Sequence, residues 1–420
     1  MDLRDMIIRG IRGQGGGTAP SVEWNDVTFI DYDGSVLYSY SLEEAQTLAA
    51  LPALPERDGL ICQGWNWTLE EIKALNRPIT VGAMYITDDG ATRLYIRIAA
   101  MGRMTVPLSI IQTVENGVSI DWGDGSMIET LSGTGSRSSR HTYAEPGDYI
   151  ISLLPKDECI LSLDDLLGIS TSENKIYQNM LQRIHIGKNV TSIGEYGLSN
   201  YCSLASITIP NNIVTIEKGT FANSSFLANI IIPNSVTTIR DNAFYGCLSL
   251  TNIIIPNSVT SIGMNVFQDC HTLAKITIPN SIISMGDNAF QNCYSLSDIV
   301  FSNNMASIGN SICQSCKALT NVIMPNGITS IGDRAFYTCS TFANIIIPSN
   351  ITSIGSFAFY SCAGVRYYDF SACTSIPTLL STDAFGNIPY DCQMLIPAAL
   401  FDEWSAATNW TTYKNKMIAV

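Results

Sequence analysis

Asp31 and Asp33 flank Tyr32 in a DYDG stretch that follows the apolar run VTFI. Two carboxylates spaced this way could act as nucleophile and acid/base in a hydrolase. Such a site would also need a doubly wound sheet and a later lysine and acidic pair, and the sequence offers none. A DG hairpin turn accounts for the same residues. Asp121 and Asp124 in DWGDGS could offer hard oxygen ligands to calcium. The loop lacks the ligand spacing and distal glutamate of a helix–loop–helix calcium site, so side-chain-braced turns are the expected role. His141, His185 and His271 fall in different segments and suggest no metal or catalytic cluster. No catalytic residue, metal or cofactor is therefore expected, and the chain is read as non-enzymatic.

Cysteine is the other reactive side chain, with 12 copies. Cys247, Cys270, Cys293, Cys316, Cys339 and Cys362 recur at one spacing of 23 residues. Stacked units would bring neighbouring sulfurs within the range of a disulfide or a shared metal. Yet each unit supplies one cysteine at one apolar position, where a reduced thiol behaves as a small hydrophobe. Cys313 supports this, because it fills the slot held by Phe290 and Phe336. The opening MDLRDMIIRGIRGQGGGTAP lacks the apolar stretch of a signal peptide, so free core cysteines are expected.

The elements that position these residues follow from composition and period. The chain has 420 residues, 46% hydrophobic and 14% charged, with a net charge of −14. This excludes wholesale disorder. It also argues against nucleic acid as partner and against membrane insertion, since the first needs basic faces and the second a long apolar run. The first 160 residues carry 34 charged side chains and the remaining 260 carry 26. The architecture is therefore expected to change near residue 160.

Beyond that point the period dominates. Pro210, Pro233, Pro256, Pro279, Pro325 and Pro348 share the 23-residue register, with Ser302 in the missing slot. Leu181, Leu204, Leu227, Leu250, Leu273, Leu296 and Leu319 share it too, with Phe342 following. A fixed period in the twenties means a solenoid, whose units bury their apolar faces only by stacking. In one unit, Leu250, Ile253 and Ile255 point inward from a short strand, and Pro256 stops the ladder. Val259 and Ile262 return to the core, and Gly263 is expected at a bend of unusual φ. Asn265–Cys270 is expected as a short helical turn anchored by Phe267. After residue 396, Pro397 and the spacing of Leu400, Trp404 and Ala407 predict an amphipathic helical cap.

The unit LxxIxIPxxVTSIGxxAFxxCxS resembles the BspA-like leucine-rich repeats over residues 180–390. That resemblance implies a solenoid that binds proteins or glycans, often on surfaces that meet host cells. Upstream, VTFIDYDGSVLYSYSL followed by LPALPERDGLICQGWNW is similar to the internalin B-repeat pattern, a small β-grasp-like unit, over residues 22–75. There the usual glycine-rich middle is replaced by SLEEAQTLAAL. VSIDWGDGS and HTYAEPGDYIIS resemble a PKD-type immunoglobulin-like sandwich over residues 92–155, a module that usually acts as a spacer.

The expected fold is mainly β and multidomain. It comprises an attachment tail (1–20), a β-grasp-like module (21–90), a PKD-like sandwich (91–158), the leucine-rich-repeat solenoid (159–395) and a C-terminal helical cap (396–420). The site is expected on the outward face of the solenoid sheet. One residue between each pair of inward aliphatics forms a β-branched stripe: Ile231, Ile254, Thr277, Val300, Ile323 and Ile346, continuing from His185 and Thr208. Beside it runs an Asn-rich stripe, Asn229, Asn252, Lys275, Asp298, Asn321 and Asn344. Exposed apolar stripes of this length meet partners, here a host-surface protein or glycan, or another copy of the chain. The expected function is adhesion, as a phage tail-associated receptor-binding protein in the virion, with residues 1–20 docking to other virion or surface proteins. A bacterial cell-surface adhesin is the first alternative, and a phosphoesterase using Asp31 and Asp33 the second.

Overall fold

A computed structural model of the chain describes residues 27–32, 34–74, 79–99, 104–156, 158–167 and 175–420. The tail 1–20 and Asp33 lie outside them.

The first module is a mixed sheet of β1 (Val27–Ile30), β2 (Val36–Tyr40), β3 (Leu60–Trp65) and β4 (Ile79–Thr87), in the order β2-β1-β4-β3. β1 and β4 run parallel at its centre and the outer pairs are antiparallel, a β-grasp-like arrangement. Two short helices, α1 (Leu42–Gln46) and α2 (Leu69–Lys73), cover one face of this sheet. Each begins with a capping box, Ser41 with Glu44 and Thr68 with Glu71, which satisfies backbone donors at the helix start. Ala45 and Ile72 from these helices join Phe29, Trp65, Val81, Ala83 and Tyr85 in a core separate from that of the repeats.

Next come β5 (Thr92–Ile98), β6 (Thr105–Gln112), β7 (Val118–Asp121), β8 (Glu129–Leu131), β9 (Gly135–Thr142) and β10 (Gly147–Pro155). They form two sheets, β5-β10-β7-β8 and β6-β9, and both continue into the repeats. β5 pairs antiparallel with β12 (Leu181–His185), the first solenoid strand on that side. On the other side β6 pairs with β11 (Leu161–Leu163), which pairs in parallel with β13 (Val190–Ile193). The sandwich and the solenoid share one hydrophobic core. The sandwich thereby closes the solenoid's first end, which a stack of open coils requires.

Most 23-residue coils contribute a three-residue strand on one side and a two-residue strand on another, paired in parallel with their neighbours in short successive sheets. Asn229 pairs with Asn252, Ile230 with Ile253 and Ile231 with Ile254, and Thr238–Ile239 pairs with Ser261–Ile262. Leu250, Ile253, Ile255, Val259, Ile262 and Phe267 are all buried. Each is worth roughly 1.5–3 kcal/mol relative to exposure.

Two local expectations are corrected on the remaining side of the coil. Asn265–Cys270 is not helical. Asn265 (φ 55°) and Asp269 (φ 62°) are left-handed, which asparagine and aspartate tolerate best among side-chain-bearing residues. The turn's amides donate to the next coil, Asn265 N to Asp287 O (2.9 Å), Phe267 N to Ala289 O (2.8 Å) and Asp269 N to Gln291 O (2.9 Å). Gly263, in turn, has no left-handed φ. A Cβ there would lie 2.3 Å from Asp241 Oδ1 and 2.5 Å from Asp241 N, so glycine permits close approach of successive coils.

The far end is closed by two 3-10 segments around helix α3 (Phe401–Ala406) and by Met417–Ala419, which pairs in parallel with Gln393–Ile396. Trp404 and Trp410 are buried there, and Trp410 Nε1 donates to Pro377 O at 2.8 Å.

Candidate recognition face

The candidate site is the outward side of the three-residue strands. Its middle positions differ sharply in exposure along the solenoid. Ile231 and Ile254 are 5% and 6% exposed, whereas Ile323 and Ile346 are 54% and 70% exposed. Thr277 and Val300 are intermediate, and His185 and Thr208 are buried. The expectation of one continuous exposed stripe is corrected: its first half is covered.

The cover is the second face of the first module's sheet. A Cβ on Gly82, at the centre of β4, would lie 2.8 Å from Ile231 Cγ1. One on Gly34 would lie 2.5 Å from Asn229 Nδ2, and Gly34 also has a φ of +86°. Ile254 belongs to the module's own hydrophobic cluster, together with Ile30. The Asn211 amide donates to Gln63 Oε1 at 3.1 Å. At one corner the His185 ring lies against Tyr32 of the module and Tyr95 of the sandwich, with centroids 6.1 Å and 5.1 Å away. Burial first, then the Arg183 and Arg93 charges, push the His185 imidazole down to about 4. Sequence reasoning missed this docking, although the signal was present. A glycine inside the strand ITVGAMYIT marks a close backbone approach.

The open half presents Ile323, Ile346, Asn321 and Asn344 to solvent. Lys275 Nζ lies 3.5 Å from Asp298 Oδ2, and Asn321 Nδ2 donates to Asp298 Oδ1 at 3.3 Å. Burial opposes the charge of Asp298, but hydrogen bonds from Ser297 and Asn321 and the Lys275 charge hold its carboxyl below the usual range. The surface is an aliphatic row beside an amide row, with Lys275 and Asp298 paired at one edge. It can pack and exchange hydrogen bonds.

The other candidates are structural. Asp31 is buried in its turn, accepting from Tyr32 N at 2.8 Å and from Arg57 Nε at 2.8 Å. Asp121 Oδ1 accepts from Gly123 N (2.9 Å) and Asp124 Oδ1 from Ser126 N (3.1 Å), so both brace turns. Asp124 Oδ2 also lies 2.6 Å from His141 Nε2, whose ring stacks on Trp122. Hydrogen bonding from Ser126 and from His141, against a small burial cost, holds the Asp124 carboxyl down at about 2. His185 and His271 do not join them. Among the described residues no group of three or more His, Cys, Asp or Glu side chains is placed to hold a metal ion.

All 12 cysteines are free thiols. Those of the ladder donate to the carbonyl of the residue 26 positions earlier, Cys270 Sγ to Phe244 O at 3.2 Å and Cys293 Sγ to Phe267 O at 3.1 Å. Behind them, Phe221, Phe244, Phe267 and Phe290 stack at 5.3–5.5 Å. Cys313 interrupts that column and is itself buried.

A family profile described as "BspA type Leucine rich repeat region (6 copies)" matches residues 168–274 and 261–389. Among solved structures, a leucine-rich repeat protein from Bacteroides ovatus is 22% identical, with a TM-score of 0.47, covering 57% of this chain and 66% of its own. A leucine rich cell surface protein from Faecalibacterium prausnitzii is 32% identical, with a TM-score of 0.33, covering 44% of this chain and 58% of its own. The T. pallidum leucine rich repeat protein is 21% identical, with a TM-score of 0.37, covering 49% and 82%. This chain thus spans less than two thirds of the first two. No curated protein matches.

Proposed function

The chain belongs to the BspA-type leucine-rich-repeat family, and from that premise we propose that it is a non-enzymatic recognition protein whose open half-face, Lys275–Ile346, contacts a protein or glycan. The observation that carries this reading is the exposure of Ile323 and Ile346 on successive parallel strands of the solenoid, where large aliphatics gain from being covered. The test is a screen of the full chain against glycan and cell-surface protein arrays. Ile323→Asp with Ile346→Asp should weaken any hit at least tenfold without lowering the melting temperature. Undiminished binding would move the site elsewhere.

For the carrier, we propose a phage tail-associated receptor-binding protein, with residues 1–20 as the attachment to the particle. The resemblances of residues 22–75 and 92–155 to modules of bacterial surface proteins support a role in meeting host cells. Mass spectrometry of purified virions tests it, and absence of the chain there would defeat it. The family itself supports a second reading, a bacterial cell-surface adhesin. Among the described residues no helix is long and apolar enough to cross a membrane. Surface labelling of intact cells decides for or against that reading. A phosphoesterase role for Asp31 is disfavoured by its engagement with Arg57.

A further inference from the structure

The covered and open halves of the face carry nearly the same residues, four coils apart. Asn229-Ile230-Ile231 and Asn252-Ile253-Ile254 lie beneath the N-terminal sheet. A shift of 92 residues maps them onto Asn321-Val322-Ile323 and Asn344-Ile345-Ile346, at the same position of their 23-residue coils. The same shift turns Arg183 into Lys275 and Thr208 into Val300, preserving a base and a β-branched residue, while Ser206 becomes Asp298 and His185 becomes Thr277. The open half therefore repeats a surface whose occupant is visible elsewhere in the molecule. That occupant is the outer face of a β-sheet, with Gly82 at its centre so that backbone meets Ile231 directly, and Ile30, paired with Gly82, in the same hydrophobic cluster as Ile254. Beyond Ile346 the row continues into Tyr367 and Asp369, which pair with Asn344 and Ile346 and are half-buried.

We propose that the partner of the open half-face is a protein β-sheet face of this kind: flat, uncharged, and bearing a glycine on its central strand. The inference rests on the recognition reading above and narrows its partner class from protein or glycan to protein. It follows from the shared Asn-aliphatic-Ile triplets of the two patches and from the continuity of the open one with an interface already formed. The Lys275–Asp298 pair cancels its own charge at the edge, so an uncharged sheet can approach without stranding an ion.

The probe is this chain with Ile231→Asp and Ile254→Asp, which should lift the N-terminal sheet from its own coils and leave its docking face intact. Presented in solution to immobilised wild-type chain, the probe is expected to bind. Ile323→Asp with Ile346→Asp in the immobilised chain should weaken that binding at least tenfold. Adding Gly82→Val to the probe should abolish it, since a side chain there blocks the backbone approach. Circular dichroism checks that the probe is folded, and Ile231→Asn replaces the double variant if it is not. A folded probe that ignores the wild-type face overturns the proposal. So does binding that survives the Ile323 and Ile346 substitutions. Glycan binding that depends on Ile323 without any probe binding also overturns it, while leaving the recognition reading in place.

Discussion

At the residue scale, environment decides which reactive groups can react. The six ladder thiols are all out of reach of solvent among apolar neighbours, and burial pushes Cys362 up to about 12 and Cys270, Cys293 and Cys339 well above the usual thiol range. Because the thiolate is the nucleophile, a disulfide-exchange reagent at pH 8 should leave these six unmodified in the native protein. Half-buried Cys202 and Cys62 should account for the early reaction, and denaturant should release all 12; ladder cysteines that react in native protein would contradict the packing. His185 gives a pH dependence of definite sign. Its folded value of about 4 lies below the ordinary 6.5, so the unfolded chain binds the extra proton. Stability from this group is complete above pH 6.5 and declines as pH falls toward 4, by about 3 kcal/mol at most. Denaturant titrations at pH 7 and pH 4.5 should show that loss, and His185→Gln should flatten it.

At the element scale, one tripeptide appears in two environments and supplies a matched test. Ile254 and Ile346 occupy the same strand position in Asn-Ile-Ile, 6% and 70% exposed. Ile346→Asp should change stability by less than about 0.5 kcal/mol, as for an ordinary surface site. Ile254→Asp should cost about 3 kcal/mol or more, because it buries an unpaired charge beneath the module. Ile253→Asp, pointing into the solenoid, should melt neighbouring coils together, since each is stable only through its neighbours. Equal losses at Ile254 and Ile346 in chemical denaturation would contradict the docking. The repeat strands were legible because period and alternation specify both inward and outward residues. The turn at Asn265–Cys270 was not, because its backbone partners lie in the next coil, and a helical turn and a left-handed turn look alike in one unit's sequence.

At the scale of the whole molecule, the solenoid is sealed at both ends by unlike devices, a sandwich that shares its sheets and a helix–strand cap rich in tryptophan. The first module is then laid back over half of the outer face. Recognition by an array of adhesion targets should accordingly map to the coils beyond residue 275, and substitutions under the module should act through docking.

The sequence by itself determined the period, the inward core, the free thiol ladder and the helical end, because each is a short-range pattern repeated until no other packing satisfies it. Only the tertiary structure decided which half of the outer face is available. That choice depends on Gly82 and Gly34 meeting Ile231 and Asn229 across a separation of 149 and 195 residues, a contact that no local periodicity encodes.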